Sequence, residues 1–325
     1  MKKTAVAPSN IAFVKYWGKK DEVLRLPENG SISMNLSGLT TTTTVEFSSL
    51  FLDDVIELNG VRESNQDNRA IAHLDRIRNA AKIHDKAHVV TKNSFPTGTG
   101  LSSSASGFAA LTLAASNAAG LSLSEKDLSI LARQGSGSAC RSIPDGITEW
   151  LDGNTTNSSY AISLFGPTYW DLCDVVAVVS VGKKEVPTAA GMKLAAKSPF
   201  FQTRLTRMRG KISACKKALE KKNFSALGEL IEMEALELHA IMLTSSPPLI
   251  YWTPGTLRIM KLCAKWREEG IPVYFTINTG QDIHLICEAP FVDAVTKKLN
   301  NIEEVQKVIV NESTIGAHLI GEHLF

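Results

Sequence analysis

Residues 96–106 read Pro96-Thr97-Gly98-Thr99-Gly100-Leu101-Ser102-Ser103-Ser104-Ala105-Ser106, and an alanine-rich stretch, GFAALTLAAS, follows at once. Two glycines separated by one residue let a backbone approach a ligand closely. The serines after them are good helix caps. A helix N-terminus presents free N–H groups and a partial positive charge, which suits a polyphosphate. Ser103 and Ser104 add hydroxyls that can donate to phosphate or ligate magnesium. No Gly-Lys-Ser/Thr closes the run, so it is not a Walker A loop, and Ser103 breaks a GxGxxG pattern. From these residues alone, an ordinary capped helix after a flexible turn stays open beside a phosphate loop.

Outward from this turn the chain alternates strand-like and helix-like segments without strict βαβ order. Residues 3–6, 40–48 (TTTTTVEFS), 87–91, 171–181, 273–277 and 283–287 are rich in β-branched or apolar residues and predict strands. Helical spacing predicts helices over 65–84, from Ser124, over 199–221, 224–242, 255–268 and 290–299. This mixture favours an α+β fold over a doubly wound sheet. The change in character near residue 185 divides the chain into lobes of 1–185 and 186–325.

Composition narrows the class. The 325 residues carry 35 basic and 33 acidic side chains, a formal net charge of +2. Disorder and a basic nucleic-acid surface are both disfavoured by that balance. No run of about 18 apolar residues predicts a membrane span. Lys2 and Lys3 begin like a signal peptide, but Ser9, Asn10 and Lys15 interrupt any apolar core, so the N-terminus reads as mature protein. The five cysteines are scattered and never in CxxC spacing, which disfavours zinc and disulfides and suits the cytoplasm.

The glycine-serine run resembles the phosphate-binding motif of the small-molecule kinase superfamily that includes galactokinase, homoserine kinase and mevalonate kinase. Two further segments narrow the resemblance. APSNIAFVKYWGKKD at 7–21 and RQGSGSACRSIPDGITEW at 133–150 are similar to signatures of the mevalonate diphosphate decarboxylase family, and LPENGSISMNLSGLTTTTTV at 26–45 fits it as well. The resemblance implies a two-lobed fold with a ribosomal protein S5 domain 2-like N-terminal lobe and a ferredoxin-like C-terminal lobe. It implies ATP and Mg2+, a homodimer, and conversion of mevalonate 5-diphosphate to isopentenyl diphosphate with loss of CO2. In that chemistry a C3 hydroxyl attacks the γ-phosphate, and the tertiary phosphate then leaves as the carboxylate is lost.

The resemblance places Lys15 as the catalytic lysine, with Tyr16 and Lys19 on the substrate diphosphate. Gly98, Thr99, Gly100, Leu101, Ser102, Ser103 and Ser104 fall in the nucleotide loop, with Ser104 as a magnesium ligand. Ser136 and Ser138 offer hydroxyls to the diphosphate, and Arg141 offers a planar fork to phosphate or carboxylate.

Three positions depart from the family pattern. The catalytic aspartate segment, Thr-x-Asp-Ala-Gly-Pro-Asn, reads here Thr276-Ile277-Asn278-Thr279-Gly280-Gln281-Asp282. A neutral amide orients a hydroxyl but takes no proton. Either Asp282 supplies the carboxylate, or the reaction proceeds without one, or the chain is weakly active or serves a related substrate, including as a kinase that stops after phosphorylation. In the segment Val186–Met192, Pro187 replaces one of the family's usual serines while Thr188 keeps a hydroxyl and is a candidate substrate contact. Asp145, in SIPDGITEW, adds a negative charge near a phosphate site unless it points away or helps hold Mg2+. His239, His284 and His318 lack ligand spacing and read as structural or solvated.

Overall fold

The computed structural model describes residues 1–325 except 65–68, 96–100, 181 and 183–185. The first sheet is built on two long strands, Lys2–Val14 and Ser31–Ser48, paired antiparallel along most of their length. Both run well beyond the predicted 3–6 and 40–48. The register shifts between Pro8 and Ser9, where proline has no N–H to give the ladder. Ser31–Ser48 then serves two partners: residues 31–34 pair with Ile147–Trp150, and residues 41–48 pair with Lys86–Asn93. Val55–Leu58 adds parallel to Lys86–Asn93, and His318–Ile320 closes the other edge against Lys2–Val14.

The second sheet has four antiparallel strands in the order Tyr274–Thr276, Ile283–Glu288, Leu172–Val178, Lys307–Glu312. Leu172–Val178 is apolar on both faces because both are covered. Cys173, Val175 and Ala177 pack with Ile259, Cys263 and Val295, whereas Leu172, Val176 and Val178 join a core that also holds Ile11, Ile32 and Met34 of the first sheet. The core is therefore continuous between the lobes. The sheets divide the chain before residue 185, since Leu172–Val178 pairs only within the second sheet, and residues 318–320 return to the first.

Helix Ser103–Ala118 lies against the first sheet, and its alanines allow a close approach: Ala109 and Ala110 meet Ala7 and Ala139. Ser124 caps helix Glu125–Gly135 by accepting from the Asp127 N–H, as its sequence predicts. Helices Phe201–Glu220, Phe224–Leu243, Pro254–Glu268 and Val292–Asn300 match the periodic segments of the second half within a few residues. The strands Val55–Leu58, Ile147–Trp150, Ala161–Phe165 and Lys307–Glu312 had no predicted counterpart.

Candidate active site

Between the lobes lies a cavity of about 250 Å3. The end of the first long strand delivers Lys15, Tyr16 and Lys19; the start of helix Ser103–Ala118 delivers Ser102, Ser103 and Ser104; the turn Gly137–Ser142 delivers Ser138 and Arg141. Ser136, Thr188, Asn278 and Thr279 complete the convergence. Five cations line this space, Lys15, Lys19, Arg25, Arg69 and Arg141, and among the described residues no carboxylate does. Such a cavity favours anions strongly.

Arg141 is 4% exposed. Its Nε donates to Ser33 Oγ (2.9 Å), Nη1 to Ser31 Oγ (2.8 Å) and Nη2 to Asn10 Oδ1 (3.0 Å). All three acceptors are neutral, so burial lowers the guanidinium's pKa with no carboxylate to offset it. Gly137 lies under Tyr16: a Cβ there would stand 2.8 Å from the phenol oxygen. Burial raises the Tyr16 phenol pKa, keeping it protonated. Lys19 pairs with Glu22 at the exposed rim.

Lys15 is 2% exposed. Its Nζ donates to Ala12 O (2.7 Å), Thr276 Oγ1 (2.7 Å) and Asn278 Oδ1 (3.4 Å). Burial pushes its pKa down to about 7; Glu234 works against that shift, and Arg141 and Arg204 work with it. The backbone of Lys15 is clamped as well. Its N–H donates to Glu234 Oε1 (3.1 Å), and its carbonyl accepts from Arg204 Nη2 (2.8 Å). Asn278 is held on three sides: Oδ1 by Lys15, Nδ2 by donation to Ser102 Oγ (3.1 Å), and its carbonyl by His239 Nε2–H (3.0 Å). Burial keeps His239 neutral, with its pKa near 3, and its ring stacks on Trp252.

Several expectations need correction. Asp282 does not line the cavity; its Oδ1 accepts from the Val179 N–H at 3.0 Å, at the end of the neighbouring strand. The turn carries Asn278 into the site and Asp282 out of it, which removes the displaced-acid reading. Asp282→Asn keeps an oxygen for Val179 and is expected to leave kcat unchanged; a general base would show a loss of about a hundredfold or more in steady-state assay. Leu101 packs its side chain into the core, while its carbonyl accepts from Ser9 Oγ. Asp145 points away, accepting from the Gly316 N–H. Gly98, Thr99 and Gly100 lie outside the described residues. Thr188 lines the cavity and bonds Thr279 Oγ1 at 2.7 Å. Ser104 lies at the cavity wall, 3.4 Å from Ser136 Oγ. His284 is structural, bonded to Asp174, as its sequence context predicts.

Sequence reading missed Arg25, Arg69, Arg204, Glu234 and the contact made by His239. Glu234 had a signal: it falls on the buried stripe Leu227, Ile231, Glu234, Leu238 of its helix. A carboxylate on an apolar stripe requires buried partners.

Two family models cover most of the chain. Residues 7–161 match a family model described as a diphosphomevalonate decarboxylase-like N-terminal domain, and residues 174–318 match a mevalonate 5-diphosphate decarboxylase C-terminal domain. A diphosphomevalonate decarboxylase of Debaryomyces hansenii is 36% identical over 306 residues, covering 88% of this chain and 79% of the relative. The chain belongs to the diphosphomevalonate decarboxylase family. A solved structure described as MDDEF in complex with MVAPP, AMPPCP and magnesium superposes with a TM-score of 0.92 at 37% identity, covering 98% of this chain and 99% of that one. Mevalonate diphosphate decarboxylase from Staphylococcus aureus gives 0.92 at 37% identity, with 98% of each chain covered. Membership in the family gives the two-lobed α+β architecture its setting.

Proposed function

We propose that this chain uses ATP and Mg2+ to decarboxylate mevalonate 5-diphosphate, giving isopentenyl diphosphate, ADP, phosphate and CO2. The observation that carries this is a two-lobe cavity with five cations and no described carboxylate, opening on a helix N-terminus. Two polyphosphates and a carboxylate need such a site. The substrate diphosphate binds Tyr16, Lys19, Ser136, Ser138 and Arg141, with Thr188 beside it, and Lys15 faces the reacting hydroxyl. A second cavity, lined by Ile56, Leu58, Val89 and Leu111, shares Arg69, Ser103 and Ser104 with the first. It takes the nucleoside, so the phosphates cross at those serines toward Lys15.

The donor set suits magnesium carried on the nucleotide. Among the described residues no group of three acidic, histidine or cysteine ligands exists, and Mg2+ ordinarily keeps waters and phosphate oxygens. Ser104 would hold it, and the ion would neutralise charge on the transferring phosphate. The same reading includes a cytoplasmic homodimer. Five buried cysteines with free thiols support its cytoplasmic part.

Purified chain incubated with ATP, Mg2+ and mevalonate diphosphate is expected to release ADP, phosphate and CO2 in equal amounts. ADP without CO2, with a carboxylate-bearing phosphorylated product in phosphorus NMR, would overturn decarboxylation. It would establish the second reading, which Asn278 favours: a kinase of mevalonate or phosphomevalonate that stops after phosphoryl transfer.

A further inference from the structure

With Asn278 an amide and Asp282 turned to Val179, the cavity must find its proton acceptor elsewhere. The arginines stay charged. Tyr16 is held protonated, and the Nε2–H of His239 is committed to the Asn278 carbonyl. We propose that Lys15 is the general base of the reaction, its uncharged Nζ taking the proton of the substrate C3 hydroxyl as that oxygen attacks the γ-phosphate. The inference rests on the reaction read above and deepens it.

The surroundings of Nζ satisfy both charge states without rearrangement. Ala12 O and Asn278 Oδ1 only accept, so they take two N–H bonds in either state. Thr276 Oγ1 either accepts the third N–H of the ammonium or donates to the lone pair of the amine, and it has Ala12 O at 3.5 Å as an alternative acceptor. When substrate arrives, the two N–H groups of the amine stay on Ala12 O and Thr276 Oγ1, and the lone pair turns to the cavity side, where the long 3.4 Å contact to Asn278 Oδ1 gives way to the C3 hydroxyl. The charged and titratable groups around Lys15 are Glu234 and His239 from one helix, Arg204 from the helix before it, Arg141 from the substrate turn and Asp174 from the second sheet. Burial dominates their sum and brings the amine within reach at neutral pH.

The step balances. The O–H bond breaks and its proton joins Nζ. The C3 oxygen bonds the γ-phosphorus as the bond to the β–γ bridging oxygen breaks, and ADP leaves with that electron pair. The C3–O bond then breaks, the phosphate departing with its electrons while the bond to the carboxylate supplies the alkene and CO2 leaves. The ammonium returns its proton to solvent between turnovers.

The pH profile separates base from ammonium. As a base, Lys15 makes kcat/KM rise with pH through about 7; as a charged anchor it makes kcat/KM fall over the same range. Lys15→Arg keeps the charge and cannot accept a proton, so kcat is expected to drop at least about a hundredfold, and the rising limb to vanish. Calorimetric affinity for mevalonate diphosphate, measured below pH 7 where the wild-type Nζ is an ammonium too, should stay within about threefold. Lys15→Ala guards against a misfolded arginine variant: added methylamine should restore turnover. Near-wild-type kcat in Lys15→Arg, a falling wild-type profile, or a folded Lys15→Ala that ignores methylamine would each overturn the proposal. ADP release without CO2 in wild type would remove decarboxylation alone, since the same limb is then read from ADP. Absence of ADP at every pH would remove both.

Discussion

Replacing Arg141 by methionine is expected to lower kcat/KM about a thousandfold or more while leaving the melting temperature unchanged or raised. The side chain is 4% exposed and held by three neutral acceptors, Ser33, Ser31 and Asn10. A buried charge with no carboxylate against it costs stability. On the proposed reading the substrate anion offsets that cost, so the stabilisation by Arg141 belongs to the complex more than to the free protein. Losing two charge-assisted hydrogen bonds to substrate at about 1.5–3 kcal/mol each removes about 4 kcal/mol, which is about a thousandfold in rate. Methionine fills much of the stem volume and lets the serine hydroxyls turn to other partners. Kinetics and a thermal scan on the same preparation check this. Loss of activity that merely tracks a lowered melting temperature would show Arg141 to be structural.

The parts of this fold that were legible in the sequence share one property: their pattern is local. Helix Phe224–Leu243 repeats apolar residues at helical spacing, and Ser124 announces a cap that the backbone then uses. The glycine-serine turn marked a helix start, and Ser102–Ser104 do stand at that start and at the cavity wall. Legibility failed where partners distant in sequence decide. Residues 31–34 read as strand only once Ile147–Trp150 and the first strand lie on either side of them. Asn278 and Asp282 are four residues apart, and periodicity cannot say which faces the cavity; the Val179 N–H decides it. Arg204 looks like a helix-surface charge until the carbonyl of Lys15 is placed against it, and the apolar stripe that holds Glu234 does not say that the Lys15 N–H will be among its partners. Arg25, in the left-handed region with φ 51°, reaches the site because a short hairpin folds back over Gln134, whose carbonyl accepts from its Nε.

Glu234→Gln is expected to destabilise the fold by about 3–5 kcal/mol, because it leaves buried cations without their counter-charge. Glu234 is 0% exposed, and its carboxylate meets Arg204 at 2.5 Å and Lys211 at 2.6 Å. Burial alone would push its pKa up, but Arg204 and Lys211 outweigh burial and hold it below the ordinary carboxylate value. A carboxyl so depressed contributes stability above its unfolded pKa and loses it as pH falls through the folded one, so part of the acid sensitivity of the wild type should vanish in the variant. Glu237, 2.7 Å from Lys211, retains some compensation and keeps the variant folded at moderate temperature. The second effect is on catalysis. Glu234 favours the ammonium of Lys15, opposing burial. Removing its charge makes the amine easier to deprotonate, so the rising limb of kcat/KM should move to lower pH. At the same time the Lys15 N–H loses an ionised acceptor, which loosens the strand end and lowers kcat. A limb that moves upward, or does not move in a folded variant with lowered kcat, would show that the limb belongs to another group. Denaturant titration gives the stability and the pH profile gives the shift, so each consequence of one buried carboxylate is measured separately.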